Sequence, residues 1–465
     1  MKRYLSLDFL RGVSIFGMVF SAIIPYGVLP AWMYHIQNPP PHHKFDMSVS
    51  GISWVDLVFP VFIFCMGVAI PLSGRRRLEA AAGRDISLSY TGDVLVRFFM
   101  LWLFSYLYVL LNFSTAPGWW AQLVTVAGFL SLFPLYLQFS KSAGSKIKLF
   151  SRVGGALLIT ALIAYGHFRF EEVISLNRSG IIIFLLAFLY LFGALIWYFT
   201  RDNLKWRLIL FLGILLFTAV TIPMGLQPKL YAVEEIRWFF NMEYIYFLLI
   251  LIPATYVGDL IQIRLSQEKV SDPVESSSTP KRTGILYRTI FVYILWEMFA
   301  LYKGLYFANI FVTLFATAVI YYLAKERVSV YSKETITAAL LSFTGSVAIL
   351  LEGSITKSPC TISYCFITSS IAIYLLIISD WVINKTRDSY VVRIFAGAGS
   401  NPLMSYIAFG SFVMPLFKLT GFVYIYQAAY PDGYPWIGVL RAAVAVIFTM
   451  AIVAKMSEKR IFWRA

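Results

Sequence analysis

Pro39-Pro40-Pro41-His42-His43-Lys44-Phe45-Asp46 is a polar, proline-stiffened stretch carrying two of the chain's four histidines. It leads into Gly51-Ile52-Ser53-Trp54-Val55-Asp56-Leu57-Val58-Phe59-Pro60, where Asp56 opens a strongly apolar run. Imidazole titrates near neutral pH and can take a proton from an amine or hydroxyl nucleophile. A carboxylate beside it can fix its orientation, as in a base-plus-orienter pair. His43 is therefore the candidate base, with His42 beside it and Asp56 as orienter. The plainer alternatives are solvated loop histidines and an aspartate that only caps its helix.

A second set of residues could hold an anion. Asp8 and Arg11 lie three apart in Ser6-Leu7-Asp8-Phe9-Leu10-Arg11-Gly12, on one face of a helix. They could pair locally, or Arg11 could meet an anionic ligand. Arg97 sits a turn inside an apolar run and either shares that task or snorkels to the surface. Arg75, Arg76 and Arg77 form a cationic run. Asn401 stands in Gly397-Ala398-Gly399-Ser400-Asn401-Pro402-Leu403, where a helix start offers free amides to phosphate oxygens or is simply a start with proline in its first turn. Glu297, in Leu295-Trp296-Glu297-Met298, falls in the middle of an apolar run and is expected to face the protein interior, paired or protonated.

No metal-ligand set is visible, nor a P-loop ending, a dinucleotide fingerprint or a Gly-x-Ser-x-Gly elbow. Cys65 reads as a small hydrophobe within a helix. Cys360 and Cys365 are close enough in sequence for a disulfide, without a pattern that demands one.

The elements that must position these residues are set by composition. Hydrophobic residues make up 59% of the 465 and charged ones 14%, with a mean hydropathy of +0.73. A water-soluble fold could not cover that much apolar surface, so the chain is expected to be an all-α, polytopic membrane protein. The net charge of +15 sits mainly in short segments between apolar runs, which indicates membrane orientation rather than nucleic-acid binding. The first apolar segment carries Asp8 and Arg11 and lacks a small-residue cleavage site, so it reads as a spanning helix and not a signal peptide.

At about 20 apolar residues per span, fourteen candidates cover 9–29, 55–73, 94–113, 119–138, 149–167, 179–199, 206–226, 240–262, 286–302, 305–324, 335–352, 362–383, 398–418 and 436–455. The pair meeting at Lys303-Gly304 is either a hairpin or one broken helix, so twelve to fourteen spans are expected. Lysines and arginines alternate between successive loops, which places both termini in the cytoplasm and the His42-His43 loop outside. Residues 264–283, with Ser276-Ser277-Ser278-Thr279-Pro280, read as a flexible cytoplasmic linker. It separates an N-terminal helix group, 1–263, carrying the outer loop 30–54, from a C-terminal group, 284–465. No internal repeat of the kind seen in many transporters is visible.

Together these motifs resemble the transmembrane acyltransferases related to heparan-α-glucosaminide N-acetyltransferase. Ser6-Leu7-Asp8-Phe9-Leu10-Arg11-Gly12 is similar to that family's opening motif. Asp56-Leu57-Val58-Phe59-Pro60, followed by Phe62, Phe64 and Met66-Gly67, is similar to its second. Asn401-Pro402-Leu403 and Ile461-Phe462-Trp463-Arg464 resemble later segments, while about 140–390 shows no clear alignment. The resemblance implies acetyl-CoA supplied from the cytoplasm, a catalytic histidine in the loop before Asp56, and an amino-sugar acceptor across the membrane. That histidine would be His43, with His42 and His35 as alternates because this loop is longer than in animal members. Ser21 and Ala22 stand where animal members carry an asparagine, a departure from the family pattern on the acceptor side.

The expected activity is thus transfer of an acetyl group from cytoplasmic acetyl-CoA to an extracytoplasmic amino sugar or glycan, in a bacterial inner membrane. The loop histidine would act as general base or acyl carrier. Arg11, Asp8, Arg97, Arg75, Arg76 and Asn401 would hold the donor, without metal or nucleic acid, and a homodimer is left open. The rival expectation is a proton-coupled secondary transporter of a sugar or peptidoglycan fragment, using Glu297 and Asp259.

Overall fold

The computed structural model describes residues 4–80, 86–140, 144–171, 173–267, 280–325 and 331–464. Ser276, Ser277, Ser278 and Thr279 of the expected linker, and Arg84, Lys141, Glu326 and Arg327 in the segments between apolar runs, lie outside the described residues.

Backbone polar groups in hydrocarbon must be satisfied within their own segment, so long apolar runs become helices. These are α1 (Leu5–Ser21), α2 (Trp54–Ala80), α3 (Ile86–Leu110), α4 (Trp119–Tyr136), α5 (Ser145–Phe170), α6 (Ile181–Thr200), α7 (Leu204–Thr221) and α8 (Leu248–Gln267). Then follow α9 (Pro280–Tyr302), α10 (Tyr306–Lys325), α11 (Ser332–Glu352), α12 (Ile362–Thr386) and α13 (Tyr390–Gly399). The composite α14 (Pro402–Thr420) and α15 (Pro435–Glu458) complete the chain. Among the described residues thirteen helices are long and apolar enough to cross a bilayer, and the only β-structure is an isolated bridge. The protein is a polytopic α-helical membrane protein, within the expected number of spans. Lys303-Gly304 is a turn between two helices, with Gly304 at φ +69°.

Two compact units are each assembled from separate stretches of chain. The first holds Met1–Leu10, Pro30–Val94 and Leu189–Arg387; the second holds Arg11–Leu29, Leu95–Phe188 and Asp388–Ala465. This differs from a division at 264–283, because α8 before that segment and α11 and α12 after it belong to one unit.

In the first unit α2, α8 and α12 are largely buried, while α7 and α10 leave most of their apolar surface for lipid. Small residues let α2 and α8 approach closely, as is usual where lipid supplies no hydrophobic drive between helices. A Cβ on Gly67 would stand 2.8 Å from the Leu251 carbonyl oxygen, and one on Gly258 would stand 2.6 Å from that of Val68. Pro60, Pro71 and Pro253 lie inside the same two helices.

In the second unit Gly12 packs on the Phe395 backbone, and a Cβ on Gly397 would meet the Cβ of Ala454 at 2.7 Å. The C-terminal Ile461-Phe462-Trp463-Arg464 runs back along the end of α4. Gln138 N–H donates to the Phe462 carbonyl and Arg464 N–H to that of Tyr136, both at 2.8 Å. Trp463 is buried among Phe104, Phe129 and Phe133.

Candidate functional site

The start of α2 is built by a reciprocal cap. Ser53 precedes the helix, and its hydroxyl accepts from Val55 N–H at 3.2 Å. Three residues on, Asp56 Oδ2 accepts from Ser53 N–H at 3.1 Å. The same oxygen accepts from Ile36 N–H at 3.1 Å, so the cap also grips the loop. Asp56 Oδ1 is left for a side chain, and that side chain is His35, with Nδ1 at 2.6 Å. The sequence leaves capping and orienting as alternatives for Asp56. The carboxylate does both, one oxygen each.

The histidine held by Asp56 is His35, not His43. A carboxylate only accepts, so Nδ1 carries the proton and Nε2 is the basic nitrogen of the ring. Asp56 is 2% exposed and the His35 side chain 40% exposed, a part-exposed imidazole oriented by a buried carboxylate. The carbonyl of Asp56 accepts from the Tyr364 hydroxyl at 2.6 Å, which fixes the first turn of α2 against α12.

His43 sits elsewhere in the loop. Its φ of +50° puts it in the left-handed region, unfavourable for a residue with a Cβ. Its N–H donates to the Pro39 carbonyl at 3.0 Å, and its ring stands edge-on to Tyr34, centroids 4.4 Å apart. His42 is exposed. Asp46 accepts from the Ser48 N–H and hydroxyl, which hold its carboxyl below the ordinary range.

The loop is tied to the segment between α11 and α12. Gln37 donates to the Ser358 carbonyl at 2.7 Å and accepts from its N–H at 3.0 Å, and Gly51 N–H donates to the Ile355 carbonyl at 2.8 Å. Next to these contacts lies a cavity of about 470 Å³, within the range of small-molecule sites, lined by Phe45, Met47, Gln227, Glu243, Tyr246 and Ser358 among others. His35 is not among its lining residues. Cys360 and Cys365 are free thiols with sulfurs 3.3 Å apart, and burial pushes the Cys360 thiol up.

The residues expected to hold a donor are distributed differently from the simple pattern in the sequence. In the first unit Arg76 is exposed, and Arg75, 40% exposed, lies 3.5 Å from Asp259. Asp8 is buried. In the second unit Arg11 donates to the Gly399 carbonyl at 3.3 Å, and Arg97 is half-buried. Asn401 is fully buried, donating to the Ile461 carbonyl at 3.0 Å and accepting from Trp463 N–H at 3.1 Å. Its amide pins the C-terminal segment, which leaves it no group to offer a phosphate.

Asp259 is surrounded by cations. Arg207, 3% exposed, donates to Oδ2 at 2.7 Å, and Trp197 Nε1 donates to Oδ1 at 3.2 Å. Asp259 is thus the counter-ion of the buried Arg207 and the half-buried Arg75. Nothing in the sequence signals the pairing of Arg207 with Asp259, the Tyr364 contact or the Gln37–Ser358 pair. Only Ser53-x-x-Asp56 carried a readable spacing, that of a capping box.

The chain belongs to the DUF5009 family, whose model, a domain of unknown function, matches residues 3–261. The matched stretch runs from α1 into α8 and includes the His35–Asp56 loop. A comparison with curated proteins returned no match.

Proposed function

We propose that this DUF5009 member is an acyltransferase of a bacterial inner membrane, moving an acetyl group from cytoplasmic acetyl-CoA to an amine or hydroxyl of an extracytoplasmic amino sugar or glycan. The observation that carries the reading is the 2.6 Å His35–Asp56 pair, with a buried carboxylate holding a part-exposed imidazole. The likeness of residues 6–12 and 56–67 to the heparan-α-glucosaminide N-acetyltransferase relatives supplies the reaction class.

In this reading Nε2 of His35 removes a proton from the acceptor as its nitrogen or oxygen attacks the thioester carbonyl. The tetrahedral intermediate collapses with cleavage of the C–S bond. The acetyl group stays on the acceptor, and the proton held on Nε2 passes to the departing CoA thiolate or to water. Asp56 stabilises the imidazolium formed in between, which is the orienter's contribution in such pairs. The cavity bearing Glu243 and Gln227, whose lining does not include His35, would take the remainder of the acceptor rather than its reacting group, its carboxylate suited to a sugar hydroxyl. Arg75 and Arg76 meet the donor's phosphates, replacing Asn401 in that role. Counting the 17-residue α1 as a crossing gives the even number of spans that the lysine and arginine alternation needs, with the 30–54 loop outside.

The test is calorimetric binding of CoA to purified protein, together with release of free CoA thiol from acetyl-CoA on adding glucosamine. Saturable CoA binding with acceptor-dependent thiol release is the expected result. A protein that binds no CoA would overturn the reading.

A further inference from the structure

A second polar cluster lies in the first unit, in the middle of α9, α10, α11 and α12, and acyl transfer does not use it. Glu297 is 0% exposed, as are Asn309, Thr313 and Ser342, with Ser346 at 1%. Glu297 Oε1 accepts from the Ser342 hydroxyl at 2.6 Å and from the Tyr293 hydroxyl at 3.1 Å. Tyr293 also lies 3.0 Å from Thr313 Oγ1, so one ring ties three helices together at this level.

One helical turn away, about 5.4 Å along the axes, Asn309 follows the Thr313 face of α10 and Ser346 the Ser342 face of α11. Asn309 Nδ2 donates to Ser346 Oγ at 3.5 Å. Among the described residues, Glu297 Oε2 and Asn309 Oδ1 are both buried without a hydrogen-bond partner.

Two acceptor oxygens from different helices, buried without a donor, are strongly disfavoured unless something positive reaches them. The surrounding groups are hydroxyls, each with lone pairs to give, and they include the buried, unpartnered hydroxyl of Tyr374 on α12, whose ring stands 5.9 Å from that of Tyr293. Hard cations take oxygen shells of this kind. One carboxylate balances one positive charge, whereas a divalent ion would bring an uncompensated charge into a low-dielectric interior.

We propose that this cluster is a Na⁺ site, with Glu297 and Asn309 as principal ligands and the Thr313, Ser342 and Ser346 hydroxyls completing an all-oxygen shell. A proton on Glu297 would neutralise the carboxylate but draw on none of the hydroxyl lone pairs, and it is the competing outcome. The site stands independently of the acyl-transfer reading.

The test is thermal unfolding of the purified full chain in NaCl, KCl or N-methylglucamine chloride at equal ionic strength, alongside ²²Na⁺ binding. A saturable Na⁺-specific rise in Tm and about one bound Na⁺ per chain are expected. Both are expected to vanish in Glu297→Gln and in Asn309→Ala, and Ser346→Ala is expected to weaken Na⁺ binding severalfold while keeping the fold. No Na⁺-specific response in the wild type would overturn the proposal and leave a protonated carboxyl. A response equal in the wild type and in folded variants would equally overturn it.

Discussion

His35 and Asp56 stand 2.6 Å apart across twenty-one positions of chain, joined because the aspartate that caps α2 has a second oxygen facing the loop. The pair orders the loop's histidines for the proposed chemistry. His35 has an oriented ring, His43 a ring packed on Tyr34, and His42 an exposed ring.

Asp56→Asn is expected to leave the fold near the wild type and lower kcat by about 10²–10⁴, because an amide fails to hold the imidazole in the required tautomer and charge state. Asp56→Ala is expected to lower stability further, by about 1–3 kcal/mol, since Ile36 N–H and Ser53 N–H both lose their acceptor. Steady-state kinetics and thermal unfolding in detergent separate the two effects.

Asn401→Ala is expected to destabilise the protein by about 1–3 kcal/mol without changing the KM for acetyl-CoA, because its amide holds Ile461 and Trp463. Arg76→Ala, in contrast, is expected to raise that KM severalfold and leave the Tm within about a degree, as for an exposed cation. A donor KM that follows Asn401 and ignores Arg76 would reverse the assignment.

Gln37→Ala removes both hydrogen bonds to Ser358 and is expected to release the 30–54 loop. Limited proteolysis of the 39–48 stretch should quicken by about tenfold, which is the effect of losing about 1.4 kcal/mol. Unchanged cleavage would mean that Gly51 and the Asp56 cap suffice to hold the loop.

Gly67→Ala places a methyl 2.8 Å from the Leu251 carbonyl oxygen and 2.6 Å from the Ala254 Cβ. The α2–α8 contact must open to admit it, and an unfolding midpoint lowered by an overpacking cost of about 1–3 kcal/mol is expected.

The architecture was largely legible in the sequence because hydrocarbon leaves an apolar run no alternative to a helix. Details failed where short-range chemistry intervenes. The first apolar run extends through residue 29, but α1 stops at Ser21 and the chain turns through Pro25 and Gly27, the latter at φ +76°. The span read as starting at 398 is divided, with α13 ending at Gly399 and α14 starting at Pro402.

At the site, Asp56 was legible from its place at the mouth of an apolar helix, and the capping spacing from Ser53 agrees with it. Its histidine was not, because the loop's path is set by contacts with Ser358 and Ile355, some three hundred positions away. Glu297 stood out as a carboxyl among apolar residues. Its neighbours Asn309, Thr313, Ser342 and Ser346 look like ordinary helix polar residues until four helices are packed together.

The most direct measurement compares acetyl transfer from acetyl-CoA to glucosamine by His35→Ala and His43→Ala, with CoA binding checked in both. The account predicts that His35→Ala loses about 10²–10⁴ in kcat with CoA affinity retained, and that His43→Ala stays within about threefold of the wild type, as expected for a residue outside the chemistry. Near-normal turnover by His35→Ala, with His43→Ala inactive, would contradict it.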